Sequence, residues 1–283
     1  MAASTNHLTS NGNGNGTSSK QPVAIILAAG KGTRMRSDLP KVVHPIGGRP
    51  MVCNVVDACR QAGCGRIVLV VGYKQEVVRE LMAAQGPAWS AGIEYAEQLE
   101  QLGTGHAVRM AESLFAPQLA SGQASGTPAI VLAGDGPLIR AATIASLLQR
   151  HNAAHAAASM ATSDIADPTG YGRIVRDGSG KLSGIVEHKE CTPEQLKITE
   201  VNPSYYCFDL AELFGALAKV KRNAASGEYY ITDVPSLLLR EGKTVEVVSA
   251  VPPEDVLSIN TPEQLAEVDA IYLARGGSKG SSK

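Results

Sequence analysis

Residues 22–35 read PVAIILAAGKGTRM. The first six of these residues form a short apolar run, which is typical of a parallel strand buried on both faces. A loop of small residues follows, in which Gly30 and Gly32 allow backbone N–H groups to approach an anion closely. Arg34, and Lys41 just beyond, can neutralise phosphate oxygens with positive charge. The stretch therefore predicts a strand that ends in a nucleoside triphosphate site.

Two other phosphate-binding loops have a spacing that this loop lacks. The dinucleotide fingerprint needs a third glycine at the place of Met35. A P-loop ends in Gly-Lys-Ser/Thr after a longer loop, whereas the Gly-Lys-Gly of residues 30–32 comes too early. Ala28 and Ala29 leave room for a flat ring. Taken alone, the loop is also compatible with a glycine turn that binds nothing.

The composition limits the class of protein. A chain of 283 residues with 44% hydrophobic residues is long enough for a sizeable core. The net charge of −1 argues against a nucleic-acid surface, and no apolar run reaches the roughly 18 residues of a membrane helix. The five cysteines include no C-x-x-C pair, which favours reduced thiols in a cytoplasmic protein. We expect neither a nucleic-acid nor a membrane partner.

Apolar strand patterns alternate with helical patterns over the first half of the chain. After the loop, strands are expected at residues 66–71, 93–96, 129–133 and 155–161, and helices at 49–62, 74–83 and 141–150. Thr104 is expected to cap a further helix, whose inner face carries Ala107, Met110, Ala111, Leu114 and Phe115. The alternation predicts an α/β fold, with a Rossmann-like, mostly parallel sheet flanked by helices.

The pattern changes after residue 161. The runs 173–176 and 182–186 flank the turn Asp-Gly-Ser-Gly and predict a hairpin, hence a smaller β-rich part. Thr192 and Thr261 each open a capping box with proline at the first helical position, so each is expected to begin a helix. A late strand is expected at 245–251, and a last helix that ends near residue 275.

Six blocks in order along the chain resemble the sugar-phosphate nucleotidylyltransferases. The similarity is closest to the uridylyltransferase domain of the bacterial N-acetylglucosamine-1-phosphate uridylyltransferases. The blocks are LAAGKGTRM with SDLPK (27–41), QLGTGHA (101–107), GD with PLI (134–139), DPTGYGRI (167–174), IVEHK (185–189) and GEYYITD (227–233). The resemblance implies the nucleotide-diphospho-sugar transferase fold. No hexapeptide repeat is present, so the acetyltransferase part of those enzymes is not expected.

The resemblance also implies a division of the chain. A nucleotidylyltransferase domain is expected at residues 21–275, with a nucleotide half at about 21–150 and a sugar-binding half at about 151–260. Residues 1–20 and 276–283 are rich in small polar residues and are expected to be disordered tails.

Site residues carry over from the family by position. Arg34 and Lys41 are the implied catalytic residues. The implied nucleotide contacts are Leu27, Ala28, Ala29, Gly30, Gly32, Thr33, Gln98, Gly103 and Thr104. The implied sugar-phosphate contacts are Gly172, Glu187, Asn202, Tyr230 and Thr232. Taken without the family, Gln98 is more typical of a solvated loop side chain, and Glu187 of the charged end of a strand.

Two oxygen ligands are expected for Mg²⁺. Asp135 follows a predicted strand, and the carboxyl ends of parallel strands are where such sheets bind ligands. Asn260 aligns with the second metal ligand of the family. Taken alone, Asp135 is also typical of a turn before Gly-Pro, and Asn260 of a loop before a helix.

The chain departs from the family at two places. Gly136 stands where the relatives usually carry a branched apolar residue. After Asn202 the relatives usually continue Thr-Gly, whereas this chain has Pro203-Ser204 followed by two tyrosines. Proline removes a backbone donor and the tyrosines add bulk, so the second departure bears on which sugar is bound.

The function implied by the resemblance is transfer of a nucleotidyl group from UTP to a sugar 1-phosphate. N-acetylglucosamine 1-phosphate is the first candidate, and the products are a UDP-sugar and pyrophosphate. One alternative is the same reaction with another sugar or polyol phosphate or another nucleoside triphosphate. A second alternative is a non-catalytic regulatory protein that binds sugar nucleotides. The oligomeric state stays open, a homo-oligomer included.

Overall fold

A mixed nine-stranded sheet forms the centre of the computed structural model, which describes residues 20–277. The tails expected to be disordered fall outside these residues, apart from Lys20, Gly276 and Gly277. The strands are β1 Val23–Ala28, β2 Pro45–Ile46, β3 Arg49–Pro50, β4 Arg66–Val71, β5 Ile93–Glu97, β6 Pro128–Ala133, β7 Ala158–Asp164, β8 Gly172–Arg176, β9 Leu182–Val186, β10 Glu200–Asp209 and β11 Val245–Ser249. The helices are α1 Met51–Gln61, α2 Gln75–Ala83, α3 Pro87–Ser90, α4 Thr104–Met110, α5 Glu112–Ala120, α6 Ala141–Ala153, α7 Leu210–Leu217, α8 Asp233–Arg240 and α9 Pro262–Ala274.

The order of the main strands is β11-β7-β10-β6-β1-β4-β5. β1 pairs in parallel with both β4 and β6, so that Ile25 lies opposite Val68 on one side and Val131 on the other. β5 and β11 also pair in parallel with their neighbours. The expected mostly parallel sheet is therefore confirmed. Its centre brings the carboxyl ends of β1, β4 and β6 to one edge.

Strand β10 is a central element that the sequence patterns did not predict. It lies antiparallel between β6 and β7, and it also pairs with the first strand of the β8–β9 hairpin. The Asn-Pro-Ser of residues 202–204 looks like a turn, but the structure places it at an irregularity between Val201 and Tyr205. A bulge of this kind accommodates a proline that cannot donate to the ladder.

Hydrophobic cores cover both faces of the sheet. In β1, Ala24 and Ile26 pack on one face with α1, α2 and α6, whereas Val23 and Ile25 pack on the other with α4, α5, α7 and α8. This alternation on a strand without polar residues is typical of a sheet buried on both faces. A third, smaller cluster packs α9 against the loops at the carboxyl edge; it contains Met35, Ile46, Met51, Leu138, Ile259 and Val268.

Several other expectations differ from the structure: the helix expected from residue 49 begins at Met51, and the strand expected at 245–251 ends at Ser249. The helix expected after Thr104 is broken at Ala111 into α4 and α5, although Ala107, Ala111 and Phe115 are buried together as expected. The capping box at Thr192 forms, with Thr192 N 2.9 Å from Gln195 Oε1, but only a 3₁₀ turn follows it. Strand β7 begins at Ala158, three residues later than expected. In residues 20–277 none of the helices is long and apolar enough to cross a membrane.

Candidate active site

The loop after β1 owes its shape to glycine and to close packing. Gly32 has φ +68°, a left-handed conformation that favours glycine. A Cβ atom at Gly32 would lie 2.7 Å from Cβ of Lys41, so the absence of a side chain also lets the Lys41 stem pack against the loop. At the strand end, Gly134 N donates to Leu27 O at 2.8 Å and ties the loop after β6 to the loop after β1. The loop and Lys41 therefore form one packed unit.

Four predicted site residues meet at this edge of the sheet. The Lys41 ammonium group forms an ion pair with Asp135 Oδ2, and its Nζ donates to Asn260 Oδ1 at 2.6 Å. Arg34 Nη2 donates to the same Asn260 oxygen at 2.8 Å. Arg34 and Asn260 are 226 positions apart in the chain, so only the tertiary structure brings them together.

Hydrogen bonds to backbone and side-chain atoms hold Asp135 and Asn260 in position. Ile259 N donates to Asp135 O at 3.0 Å, which joins the two loops. Asn260 N donates to Gln264 Oε1 at 2.8 Å, and Asn260 Nδ2 donates to Ser258 Oγ at 3.3 Å. Thr261 accepts from Gln264 N and caps α9, which confirms that this capping box begins a helix. The amide oxygen of Asn260 is thereby aimed at the cations.

The oxygens of Asp135 and Asn260 fit a metal ion because both contact one nitrogen, Lys41 Nζ, and so converge on one point. Carboxylate and amide oxygens are the donors that Mg²⁺ prefers. Among the described residues there is no group of three or more His, Cys, Asp or Glu side chains that could hold a metal. An ion bound here would therefore take its remaining ligands from water or from a substrate.

Gln98 is buried, and the interpretation as a solvated loop side chain is wrong. Gln98 is only 3% exposed, and its Nε2 donates to Gly103 O at 3.1 Å. Gly103 has φ +98°, and a Cβ atom there would lie 2.6 Å from Tyr229 O. The expectation that Thr104 caps α4 is also wrong. Gly103 occupies the cap position, and Thr104 Oγ1 instead accepts from Ile231 N at 3.1 Å.

Gly72 and Tyr73, which follow β4, belong to the same edge and were missed from the sequence. A Cβ atom at Gly72 would lie 2.6 Å from Gln98 O and 3.0 Å from Ala29 O. Tyr73 N donates to Ala29 O at 3.1 Å, and Lys31 Nζ lies 5.2 Å from the centre of the Tyr73 ring. A glycine directly after a second parallel strand is the signal that could have identified this position.

The residues expected to bind the sugar phosphate come from the β8–β9 hairpin, β10 and the start of α8. Thr232 Oγ1 donates to Glu187 Oε1 at 3.0 Å. Burial raises the pKa of Glu187, and the Thr232 hydrogen bond opposes this shift. Tyr230 is half-buried next to Tyr229, whose backbone pairs with the loop of Gly103. The segment therefore links the loop of Gly103 and Thr104 to Glu187.

Asn202 uses both ends of its amide within the protein. Nδ2 donates to the Tyr206 hydroxyl at 2.6 Å, and Oδ1 accepts from Ser204 N at 3.1 Å. Ser204 has φ +65°, which is unusual for a residue with a side chain. Gly172 is the partner of Asn202 in the β8–β10 pairing. The bulge that replaces the family's Thr-Gly is therefore stabilised by Asn202 itself.

The fold and this arrangement define a class of protein. The family model described as Nucleotidyl transferase matches residues 23–252, and the chain belongs to this family. Enzymes of this family generally use a divalent metal.

Particular relatives are similar over most of the chain. The chain is 42% identical over 252 residues to the bifunctional protein GlmU of Clostridium botulinum (strain Loch Maree / Type A3). The aligned region covers 89% of this chain and 52% of that protein. GlmU of Exiguobacterium sibiricum is 44% identical over 252 residues, covering 89% and 53%. The chain thus spans about half the length of these curated relatives. A UDP-glucose pyrophosphorylase solved with UDP-glucose has a TM-score of 0.68 at 19% identity, over 90% of this chain and 99% of that one, which confirms the fold.

Proposed function

We propose that the protein transfers a uridylyl group from UTP to a sugar 1-phosphate, with N-acetylglucosamine 1-phosphate as the sugar substrate. The observation that carries this proposal is the contact cluster of Arg34, Lys41, Asp135 and Asn260 beside the loop after β1. A protein that only bound nucleotide would have no need of two cations and two metal-type ligands at one point. The identity of about 42% to GlmU proteins supports the uridylyl group and the sugar.

In the proposed reaction a phosphate oxygen of the sugar 1-phosphate attacks the α-phosphorus of UTP. The new P–O bond forms as the bond to the β-phosphate oxygen breaks, and pyrophosphate leaves with the electron pair. The attacking oxygen is already ionised at neutral pH, so no general base is needed. Catalysis then consists of positioning and charge neutralisation. Arg34 neutralises the leaving pyrophosphate, and Lys41 the charge that develops at the α-phosphate.

Asp135 and Asn260 are the residues that would hold Mg²⁺. When bound, the ion neutralises phosphate charge and aligns the two substrates. Ile259 N and Gln264 Oε1 hold the backbone of the two residues in place, and Ser258 Oγ accepts from Asn260 Nδ2 and so orients the Asn260 amide oxygen.

The remaining assignments divide the domain into two halves. We assign nucleotide binding to Leu27, Ala28, Ala29, Gly30, Gly32, Thr33, Gln98, Gly103 and Thr104. We assign binding of the sugar phosphate to Gly172, Glu187, Asn202, Tyr230 and Thr232. Because the Asn202 amide already has two protein partners, it has only one N–H and one lone pair left for a sugar. We also propose a cytoplasmic location, since four of the five cysteines are buried as thiols.

Pyrophosphate release in the presence of Mg²⁺ tests this function. UTP, dTTP, CTP, ATP and GTP are each combined with N-acetylglucosamine 1-phosphate, glucose 1-phosphate and galactosamine derivatives. Turnover with UTP and N-acetylglucosamine 1-phosphate is the expected result. Turnover with another pair alone would keep the reaction and change the substrate. Nucleotide binding without turnover by any pair would contradict the enzyme and favour a regulatory protein.

A further inference from the structure

The Lys41 ammonium group occupies the point where the two proposed metal ligands converge. Its Nζ contacts Asp135 Oδ2 and lies 2.6 Å from Asn260 Oδ1. The side chains of Lys41 and Asp135 are only 14% and 20% exposed, so water screens this pair weakly. Arg34 Nη2 adds a second positive group 2.8 Å from the Asn260 oxygen. Asp135 therefore already has a counterion within the protein.

A divalent ion and this ammonium group cannot use the same two oxygens together. Mg²⁺ needs its oxygen ligands at about 2.0–2.1 Å. An ammonium group in contact with both oxygens stands in that space, and two cations at such short distance repel strongly where little water is present. Metal binding to Asp135 and Asn260 therefore requires Lys41 to move.

We propose that Lys41 is an internal competitor of the metal. In the protein without substrates it holds the oxygens of Asp135 and Asn260, and it leaves them when a nucleoside triphosphate offers its ammonium group a phosphate partner. The metal alone then binds weakly, and metal and nucleotide bind cooperatively. This inference rests on the proposed function, which supplies the metal and the nucleotide.

The local packing allows the exchange with a small movement. The base of the Lys41 side chain packs against the loop after β1, as the 2.7 Å between a Cβ atom built at Gly32 and Lys41 Cβ indicates. The outer bonds of the flexible lysine stem can rotate around this fixed base. The ammonium group then turns from Asp135 towards the loop, where the proposed function places the phosphates. Asn260 stays in place because Gln264 and Ser258 hold it.

Mn²⁺ binding in the absence of nucleotide and sugar tests the proposal. Free Mn²⁺ is measured by electron paramagnetic resonance in titrations of the wild type, Lys41→Met and Lys74→Met. Lys74 is the matched control. Its Nζ lies 5.6 Å from the centre of the Tyr73 ring, so Lys74→Met also removes one positive charge at the carboxyl edge of the sheet. We expect Lys41→Met to bind Mn²⁺ about tenfold or more tightly than the wild type, with a much smaller effect of Lys74→Met.

A double substitution tests whether the tighter Mn²⁺ binding of Lys41→Met takes place at Asp135. Adding Asp135→Ala to Lys41→Met should abolish the gain, because the ion then loses its carboxylate ligand. A thermal melt establishes that each variant is folded, and Lys41→Gln replaces Lys41→Met if the latter is not. Equal Mn²⁺ affinity of the Lys41 and Lys74 variants would overturn the proposal. Since no substrate is present, a gain in Mn²⁺ affinity without turnover in the substrate panel would contradict only the proposed function.

Discussion

The hydroxyl group of Tyr205 lies 3.2 Å from the position that a Cβ atom at Gly136 would take. Tyr205 is fully buried, and its hydroxyl donates to Asp255 O at 2.9 Å. Gly136 directly follows the proposed metal ligand Asp135, and Tyr205 follows the proline and serine that replace the family's Thr-Gly. The two departures from the family pattern are therefore one packing arrangement, in which a tyrosine fills the space that a side chain at position 136 would need.

This arrangement predicts that a side chain at position 136 destabilises the protein less when Tyr205 is shortened. Gly136→Val should lower the free energy of unfolding by about 1–3 kcal/mol, because the core there is already filled. In a Tyr205→Phe background the cost of Gly136→Val should fall by about 0.5 kcal/mol or more, since the nearest atom is gone. Urea unfolding of the wild type, the two single variants and the double variant measures the coupling between the two substitutions. Gly178→Val, at a site with no atom within 4 Å, is the control, and strictly additive effects would refute the shared packing.

The left-handed backbone conformation of Ser204 leads to a second prediction about stability. Ser204→Gly should raise the free energy of unfolding by about 0.5–1 kcal/mol, because relief of about 1–2 kcal/mol of strain exceeds the added chain entropy. Ser183→Gly in β9, at an exposed strand position, should instead lower it by about 0.5–1 kcal/mol. Thermal or urea unfolding distinguishes the two signs. A loss of stability in both variants would argue against strain at Ser204.

His151 should make the fold sensitive to acid. Burial lowers the pKa of His151 to about 4, and Nδ1 lies 3.0 Å from the buried Ser159 hydroxyl. The unfolded chain takes up this proton near pH 6.5, and the folded protein takes it up only near pH 4. Stability is thus lost as the pH falls from about 6.5 to 4, by roughly 3 kcal/mol.

Unfolding measured at several pH values tests this loss. His151→Gln should flatten the profile between pH 6.5 and 4, whereas His155→Asn, at an exposed position in the turn after α6, should keep the wild-type slope. An unchanged slope in His151→Gln would assign the acid sensitivity to other groups.

Arg34 and Lys41 should affect turnover more than sugar binding. Arg34→Ala and Lys41→Ala should each lower kcat by about 10²–10³-fold, since each removes charge neutralisation at the reacting phosphates. The KM for the sugar 1-phosphate should change much less, because neither residue is assigned to the sugar. Steady-state kinetics with varied sugar phosphate separates the two effects. Lys74→Ala serves as the comparison, and near-normal kcat in either main variant would remove that residue from the mechanism.

The parallel part of the sheet could be predicted because strands buried on both faces are continuous apolar runs. The expected strand at residues 66–71 has the same bounds as β4, and those at 93–96 and 129–133 differ from β5 and β6 by one residue. Strand β10 could not be predicted in this way. Its Asn-Pro-Ser is typical of a turn, and residues 202–204 do interrupt the ladder with β7. The strand continues on both sides of this bulge because the flanking residues pair with β6, β7 and β8.

The candidate site also has a part that could be predicted from the sequence and a part that could not. The sequence by itself marked Asp135, because a carboxylate just after a buried parallel strand lies at the ligand-binding edge of the sheet, and it marked Arg34 and Lys41 as cations that follow the glycine loop after β1. Only the tertiary structure decided that Asn260 reaches Lys41 and Arg34, since α9 must first pack on the cluster around Met35 and Ile259. It also decided that Lys41 neutralises Asp135. A contact between side chains far apart in the chain depends on how whole elements pack, and no local pattern of residues encodes that packing.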